Sequence, residues 1–339
     1  MSLFNNYGNV FWDNKGDPTA AALYKELSKR NWLASDFFIE EDTTNWYKID
    51  AKDREDIIKG FLISNTIKQM FGSVLLPILN TAIDIQETNK RAMISKIEAV
   101  LNGEHSQLNS RIICELNSKI AVKKAIKDIK KMEGLEQAFA KIETIFKGMF
   151  GWMAAYESQI PMEGKDLYEE LHYHIWKSAA IATVLIEASE SLSLASLFST
   201  LEEGHEVPEV LKSVRTMCKD VAIITTYLAT IANESFQVIS KERQQVGKDW
   251  LSTTVDAYFI IPWNESLEQS GIQLNVKTLA SDLLTYNLSK SMVKFGFYPE
   301  SELDPMPEVI SKHLGVDINY WIEKGRSKAV EDLRFRWWK

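Results

Sequence analysis

The sequence predicts an all-α protein, a helical bundle of long antiparallel helices with additional peripheral helices. Three observations predict it. Apolar residues recur at three-, four- and seven-residue spacing along most of the 339 residues, whereas strand alternation is hard to find. Eight prolines and fifteen glycines leave room for long helices. The interruptions are short: "EGKD" at 163–166, "EEGHEVPE" at 202–209 and "FYPESELDPMPE" at 297–308.

The elements follow in order. A first helix is expected near 18–30, then a turn around "SDFFIEEDTTNW". Long helices are expected near 53–87, where Phe61, Phe71 and Leu75 share a face, and near 91–117, where Ile94, Ile97, Leu101, Leu108 and Ile112 form a stripe. Further helices are expected near 118–130, 132–157 and 166–201, the last ending in the apolar "SAAIATVLIEASESL". The pattern continues near 208–243, on Val210, Met217, Ile224 and Tyr227, and near 244–269 and 275–294. Asn102-Gly103 is a turn signal inside the second long helix; a turn there would take His105 off it.

Bulk composition narrows the classes. A hydrophobic fraction of 45% with 25% charged residues supports a packed core. A net charge of -8 argues against a general nucleic-acid binder. Cys114 and Cys218 are the only cysteines and form no CxxC pair, so the expectation is a reducing cytoplasm. The N-terminus lacks a signal-peptide pattern, and no membrane span is expected.

Four of the long helices each place an ionisable group inward: Lys68, His105, Glu187 and Asp220. An unpaired buried charge costs several kcal/mol, so these groups should pair if they converge. Lys68 would pair with Glu187 or Asp220, and His105 would hydrogen-bond an acid. Alternatively His105, Glu187 and Asp220 bind a single metal ion. The blander readings are a hydrogen-bonded core histidine, a Lys68 that snorkels to the surface, a solvated end at Glu187 with Glu190 and Ser191 nearby, and a wet edge at Asp220 beside Lys219.

Three stretches carry a family resemblance: "NWLASDFFIEEDTTNWYKIDAKDREDIIKGFL", "YNLSKSMVKFGFYPESELDPMPEV" and "INYWIEKGRSKAVEDLRF". With them the chain resembles, over nearly its whole length, the small, radical-generating subunit of class I ribonucleotide reductases, most closely the class Ib type. The resemblance implies a single ferritin-like helical domain over 1–339, with an N-terminal arm at 1–20 and a C-terminal tail at 316–339. It also implies a homodimer, a ribonucleotide reductase large subunit as partner, no nucleic acid or membrane contact, and a core holding two metal ions.

The family's ligands are one acid, two Glu-x-x-His pairs and a lone glutamate. Aligned on Trp32, Trp46, Gly72 and Pro77, this chain places Lys68 at the first acid. Asn102 or Leu101 then stands at a glutamate, His105 at its histidine, and Glu187 at the lone glutamate. In "RTMCKD", Met217 and Asp220 replace the second Glu-His pair. Asn109 stands at the radical tyrosine. Trp32 takes the relay tryptophan's place, with Thr216 where its aspartate partner belongs. Two cations need bridging carboxylates, and a thioether is a soft ligand, so the expectation is no cofactor; the alternative is one iron or manganese ion. Tyr227 is the one internal candidate for another radical site.

Two functions follow. One is a ribonucleotide reductase small-subunit homologue with an eroded dimetal and tyrosyl-radical site, a divergent or inactive paralogue. The other is a ferritin-like oxidase or small-molecule enzyme whose pocket would be lined by Met217, Leu101, Leu108 and Ile224. In the tail "EDLRFRWWK", the basic residues reverse the acidic character of the family's docking tail.

Overall fold

Helical periodicity is realised almost wherever it is written. The computed structural model describes residues 17–83, 87–159 and 166–314, and every regular element among them is helical. Helix α1 spans Pro18–Lys29. The Asp17 carboxylate accepts from the Thr19 amide at 2.8 Å, and Pro18 occupies the first turn, where a missing N–H is harmless. Short α2 (Thr43–Trp46) precedes α3 (Ala51–Met70) and α4 (Leu76–Ala82), which form one rod through a π-helical turn at Phe71–Leu75. The second rod, α5 (Thr88–Ala99) and α6 (Ser106–Glu115), has its own π-helical turn at Val100–His105. Helices α7 (Lys119–Ile129) and α8 (Glu133–Glu157) lead to the third rod, α9 (Leu167–Ala188) and α10 (Ser191–Glu202). The fourth rod is α11 (Pro208–Val238). Helices α12 (Lys241–Val255), α13 (Ile261–Gln269), α14 (Leu274–Lys294) and α15 (Glu308–Leu314) follow.

The four rods make the central bundle. Helix α9 packs along α11, α10 along α3, and α3 along α6; α8 and α14 flank α9 from outside. Two apolar clusters fill the interior. One includes Phe71, Leu101, Trp176, Ile224 and Tyr227; the other includes Trp46, Phe61, Leu108, Phe198 and Met217. Of the residues proposed for an alternative apolar pocket, Leu101 and Ile224 pack in the first cluster and Leu108 and Met217 in the second. The rod α9–α10 is apolar and long enough to cross a bilayer, but its most apolar window is 100% buried in the protein, as a core helix is.

Two glycines set close approaches. A Cβ at Gly60 would lie 2.8 Å from Ser193 Cα, so α3 meets the α10 backbone without an intervening side chain. A Cβ at Gly72 would lie 2.5 Å from Asn102 Oδ1, where the two π-helical turns face each other. Ser73 Oγ donates to Asn102 Oδ1 at 2.8 Å across that junction. The Asn102-Gly103 pair thus widens the helix without ending it, and His105 stays within the rod, in its π-helical turn.

Several expected boundaries move. The arm 1–20 overlaps α1, in which Thr19 and Ala20 are buried. The helix expected to 87 ends at Ala82, the one expected near 166–201 is interrupted at 189–190, and the one expected near 208–243 ends at Val238. Helix α15 was not expected. Residues 1–16 and the tail 316–339, with its basic and aromatic end, lie outside the described residues.

Candidate functional site

Lys68 is fully buried on α3, with buried Ser64 a turn before it and buried Phe71 a turn after it. It does not snorkel. Its ammonium forms a short ion pair with Glu190, which sits between α9 and α10 and is 3% exposed. Ser193 Oγ (3.0 Å) and Ser64 Oγ (3.2 Å) donate to Glu190 Oε2. Lys68 Nζ also lies 3.9 Å from Met217 Sδ on α11. Burial alone would raise the Glu190 carboxyl; the Lys68 charge and hydrogen bond outweigh it and hold the group below its ordinary range.

Lys68 was expected to meet Glu187 or Asp220. Glu190, in the interruption at 189–190 between α9 and α10, takes that place. The blander alternative of a solvated end at Glu187, with Glu190 and Ser191 nearby, does not hold: all three are buried. Serines stand at 189, 191 and 193, and the Ser193 hydroxyl serves the Glu190 carboxylate, but nothing in the sequence marks that pairing.

Asp220 is the second node. Burial pushes it up, but the hydrogen bond from His105 and the Arg30 guanidinium hold its carboxyl low. Trp32 Nε1 donates to Oδ2 at 2.8 Å, His105 Nε2 lies 3.3 Å from the same oxygen, and Arg30 Nε makes a short ion pair with Oδ1. Arg30 also donates to the Thr216 carbonyl at 3.1 Å. Burial and the Lys68 charge lower His105 and keep it neutral. A neutral ring with Nε2–H toward Asp220 leaves Nδ1 an acceptor, and Nδ1 has no partner among the described residues.

Trp32 was expected to lack a carboxylate partner, with Thr216 at its place. Asp220 supplies one from a turn later, while the Thr216 hydroxyl bonds the Lys212 carbonyl at 3.0 Å. Trp32 also packs on the His105 ring, centroids 5.8 Å apart.

Glu187 belongs to a third group. It accepts from Lys290 in a short ion pair, from Lys294 at 2.8 Å, and from the Thr225 hydroxyl at 2.5 Å. Burial opposes its ionisation, but the two lysines prevail and lower its pKa to about 2. Lys294, penalised by burial, falls to about 8. The two lysines come from "YNLSKSMVKFGFYPE", read above only as a family signature. A cavity of about 30 Å³, the size for a water molecule, touches Glu187, Glu190, Cys218 and Lys290.

The remaining sequence candidates separate. Asn102 is exposed at the π-turn junction. Asn109 is fully buried, and neither of its amide atoms has a partner among the described residues. Tyr227 donates to the Lys90 carbonyl at 3.0 Å; burial holds its hydroxyl well above the ordinary phenol range.

These residues do not fit a metal. Among the described residues no three His, Cys, Asp or Glu side chains gather to hold an ion; of the alternative trio, His105 meets Asp220, while Glu187 pairs with Lys290 and Lys294. Around Lys68 the donors are one carboxylate and a thioether. The Asp220 carboxylate is already engaged by Arg30, Trp32 and His105. A dinuclear centre needs bridging carboxylates to screen two cations, and here Glu190 is already paired with Lys68.

Comparison with known proteins defines the fold. No family model matches the chain, and no curated protein matches its sequence. Among solved structures it is similar to dimanganese(II)-NrdF from Streptococcus sanguinis, with a TM-score of 0.72 and 14% identity over 91% of this chain and 100% of that one. It is also similar to the ribonucleotide reductase R2 subunit of Clostridium botulinum, with a TM-score of 0.59 and 14% identity over 93% of this chain and 90% of that one. The chain has the ferritin-like fold of ribonucleotide reductase small subunits.

Proposed function

We propose that this chain, folded as a ribonucleotide reductase small subunit, is a homologue that has exchanged oxygen-activating metal chemistry for a charge-paired core. It acts as a structural or regulatory partner, or as an inactive paralogue. The observation that carries the reading is the Lys68–Glu190 ion pair with Met217 against it. A fixed ammonium balances the acid that cations would otherwise balance, and it needs no loading step. Asn109, an amide, holds no stable one-electron hole. The Trp32–Asp220–Arg30 node is intact, but it serves here to pair a buried acid with its donors.

The chain works in this reading as a homodimer, in the cytoplasm, with a ribonucleotide reductase large subunit as its partner. The free thiols Cys114 and Cys218 are in keeping with a reducing compartment. The alternative, a small-molecule oxidase, gains no support from a core cavity of only about 30 Å³.

Expression with added iron, and separately with added manganese, tests the proposal through electron paramagnetic resonance after oxygen exposure. The expected result is no protein radical and no support of nucleotide reduction by a class I large subunit. An oxygen-dependent radical, or turnover above the large subunit alone, overturns it.

A further inference from the structure

Helix α7 and the turn after it carry a division of charge that the core site does not explain. Residues 119–131 contain six lysines and one acid, Asp128, in a chain of net charge -8. Lys124 pairs with Glu55 and Lys131 with Asp128. Lys119, Lys123, Lys127 and Lys130 are exposed and make no ion pair with the described residues. Ala125 is the helix's only buried residue, while Ile120 is 81% exposed in the middle of the lysine face.

Beside the C-terminal end of α7 opens a groove of about 430 Å³ between α3, α7 and α8. Its walls are apolar, from Ile63, Ile129, Met132, Leu135 and Phe139, and Lys130 stands among them. Its one acid, Glu136, belongs to α8, so the basic wall is that of α7.

We propose that α7 and this groove form a docking surface for an acidic amphipathic segment of a partner protein. Its carboxylates would face the α7 lysines, and its apolar side chains would enter the groove. Charge decides between occupants. A second copy docked about a two-fold axis running through α7 would set that helix against itself, lysine against lysine. An anionic bilayer would require an apolar face to insert. Helix α7 offers no continuous apolar face outward: Ala125 is buried, Val122 and Ile129 are half-buried, and only Ile120 and Ile126 stand exposed among the lysines. The surface shares no residue with the Lys68–Glu190 site, so it goes beyond the proposed function and stands or falls separately.

The test uses the full chain and a fluorescein-labelled helical peptide of about 18 residues with leucines at i, i+3, i+4 and i+7 and glutamates elsewhere. A scrambled peptide of the same composition is the control. Anisotropy should show binding that weakens as salt rises from about 50 to about 300 mM. The scrambled peptide should bind at least about tenfold more weakly, because it loses the apolar face. The surface triple variant Lys123→Glu, Lys127→Glu, Lys130→Glu should lose at least about tenfold in affinity. Thr66→Trp, an exposed groove-edge residue, should block the groove with the charge unchanged and cost a similar factor. Circular dichroism confirms that both variants fold. Equal binding of the two peptides overturns the proposal. So does wild-type affinity in the triple variant. So does a change of oligomeric state in that variant, which would make a second copy the occupant. Phosphatidylglycerol vesicles that bind where the peptide does not would make a bilayer the occupant.

Discussion

Replacing Lys68 by methionine removes the buried cation with little change of shape. Glu190 is left in the core with two hydroxyl donors, from Ser64 and Ser193, and no counter-charge. Breaking such a pair from one side costs about 3–5 kcal/mol. The carboxyl can limit that loss by taking a proton. Moving a glutamate from its ordinary range to neutral form at pH 7 costs about 3 kcal/mol, at 1.36 kcal/mol per pH unit. Lys68→Met should therefore destabilise by about 3 kcal/mol at pH 7 and by only about 1 kcal/mol at pH 5, where protonation is cheaper. With unfolding entropy near 2.1 cal/mol/K per residue over 339 residues, the loss at pH 7 corresponds to about 4 °C in Tm. The double variant Lys68→Met, Glu190→Gln carries no unpaired charge and should return to within about 1 kcal/mol of wild type. Urea unfolding at the two pH values measures all three. A single-variant loss under about 0.5 kcal/mol, a loss independent of pH, or additive costs in the double variant would refute the argument.

Other perturbations probe the surrounding packing. Asp220→Asn should cost about 2–4 kcal/mol, because Arg30 loses its charge partner and an amide replaces an acceptor-only group; urea unfolding reads the loss and Trp32 emission should shift with it. Gly60→Ala should cost about 2 kcal/mol or more through overpacking against the α10 backbone, measured as a lowered urea midpoint. Gly72→Ala should destabilise in the same assay, and Asn102→Ala added to it should recover most of the loss, since the clash is with that side chain. Glu187 has a folded pKa of about 2, below its ordinary 4.5, so its contribution is complete above pH 4.5 and disappears as pH falls through 2. Glu187→Gln should accordingly be less stable than wild type at pH 6, with the gap closing toward pH 2 in acid titrations followed by circular dichroism.

The helices were legible because periodicity of apolar residues is dictated locally, and the bundle needs nothing more to form. The inward charges at Lys68, His105, Glu187 and Asp220 were legible for the same reason: each sits on an apolar stripe, and all four are buried. Their partners were not legible. Whether Lys68 meets Glu187 or Glu190 depends on the interruption at 189–190, and serines give little sign of a helix break. Lys290 and Lys294 lie about a hundred residues beyond Glu187, so only the packing of α14 on α9 brings them together. Matching Trp32 with Thr216 followed a family register, whereas Asp220 a turn later has the length and direction to accept from the indole. Arg30 was invisible as a partner because it lies just past the end of α1, in a segment without periodicity.

The most direct test is diffraction from crystals grown with excess manganese(II) and iron(II), with anomalous scattering recorded at both metals' edges. The account predicts no anomalous peak between Lys68, Glu190, His105 and Asp220, and a Lys68 ammonium in contact with the Glu190 carboxylate. Two peaks about 3.5–4 Å apart, bridged by carboxylates and with Lys68 displaced, would contradict it.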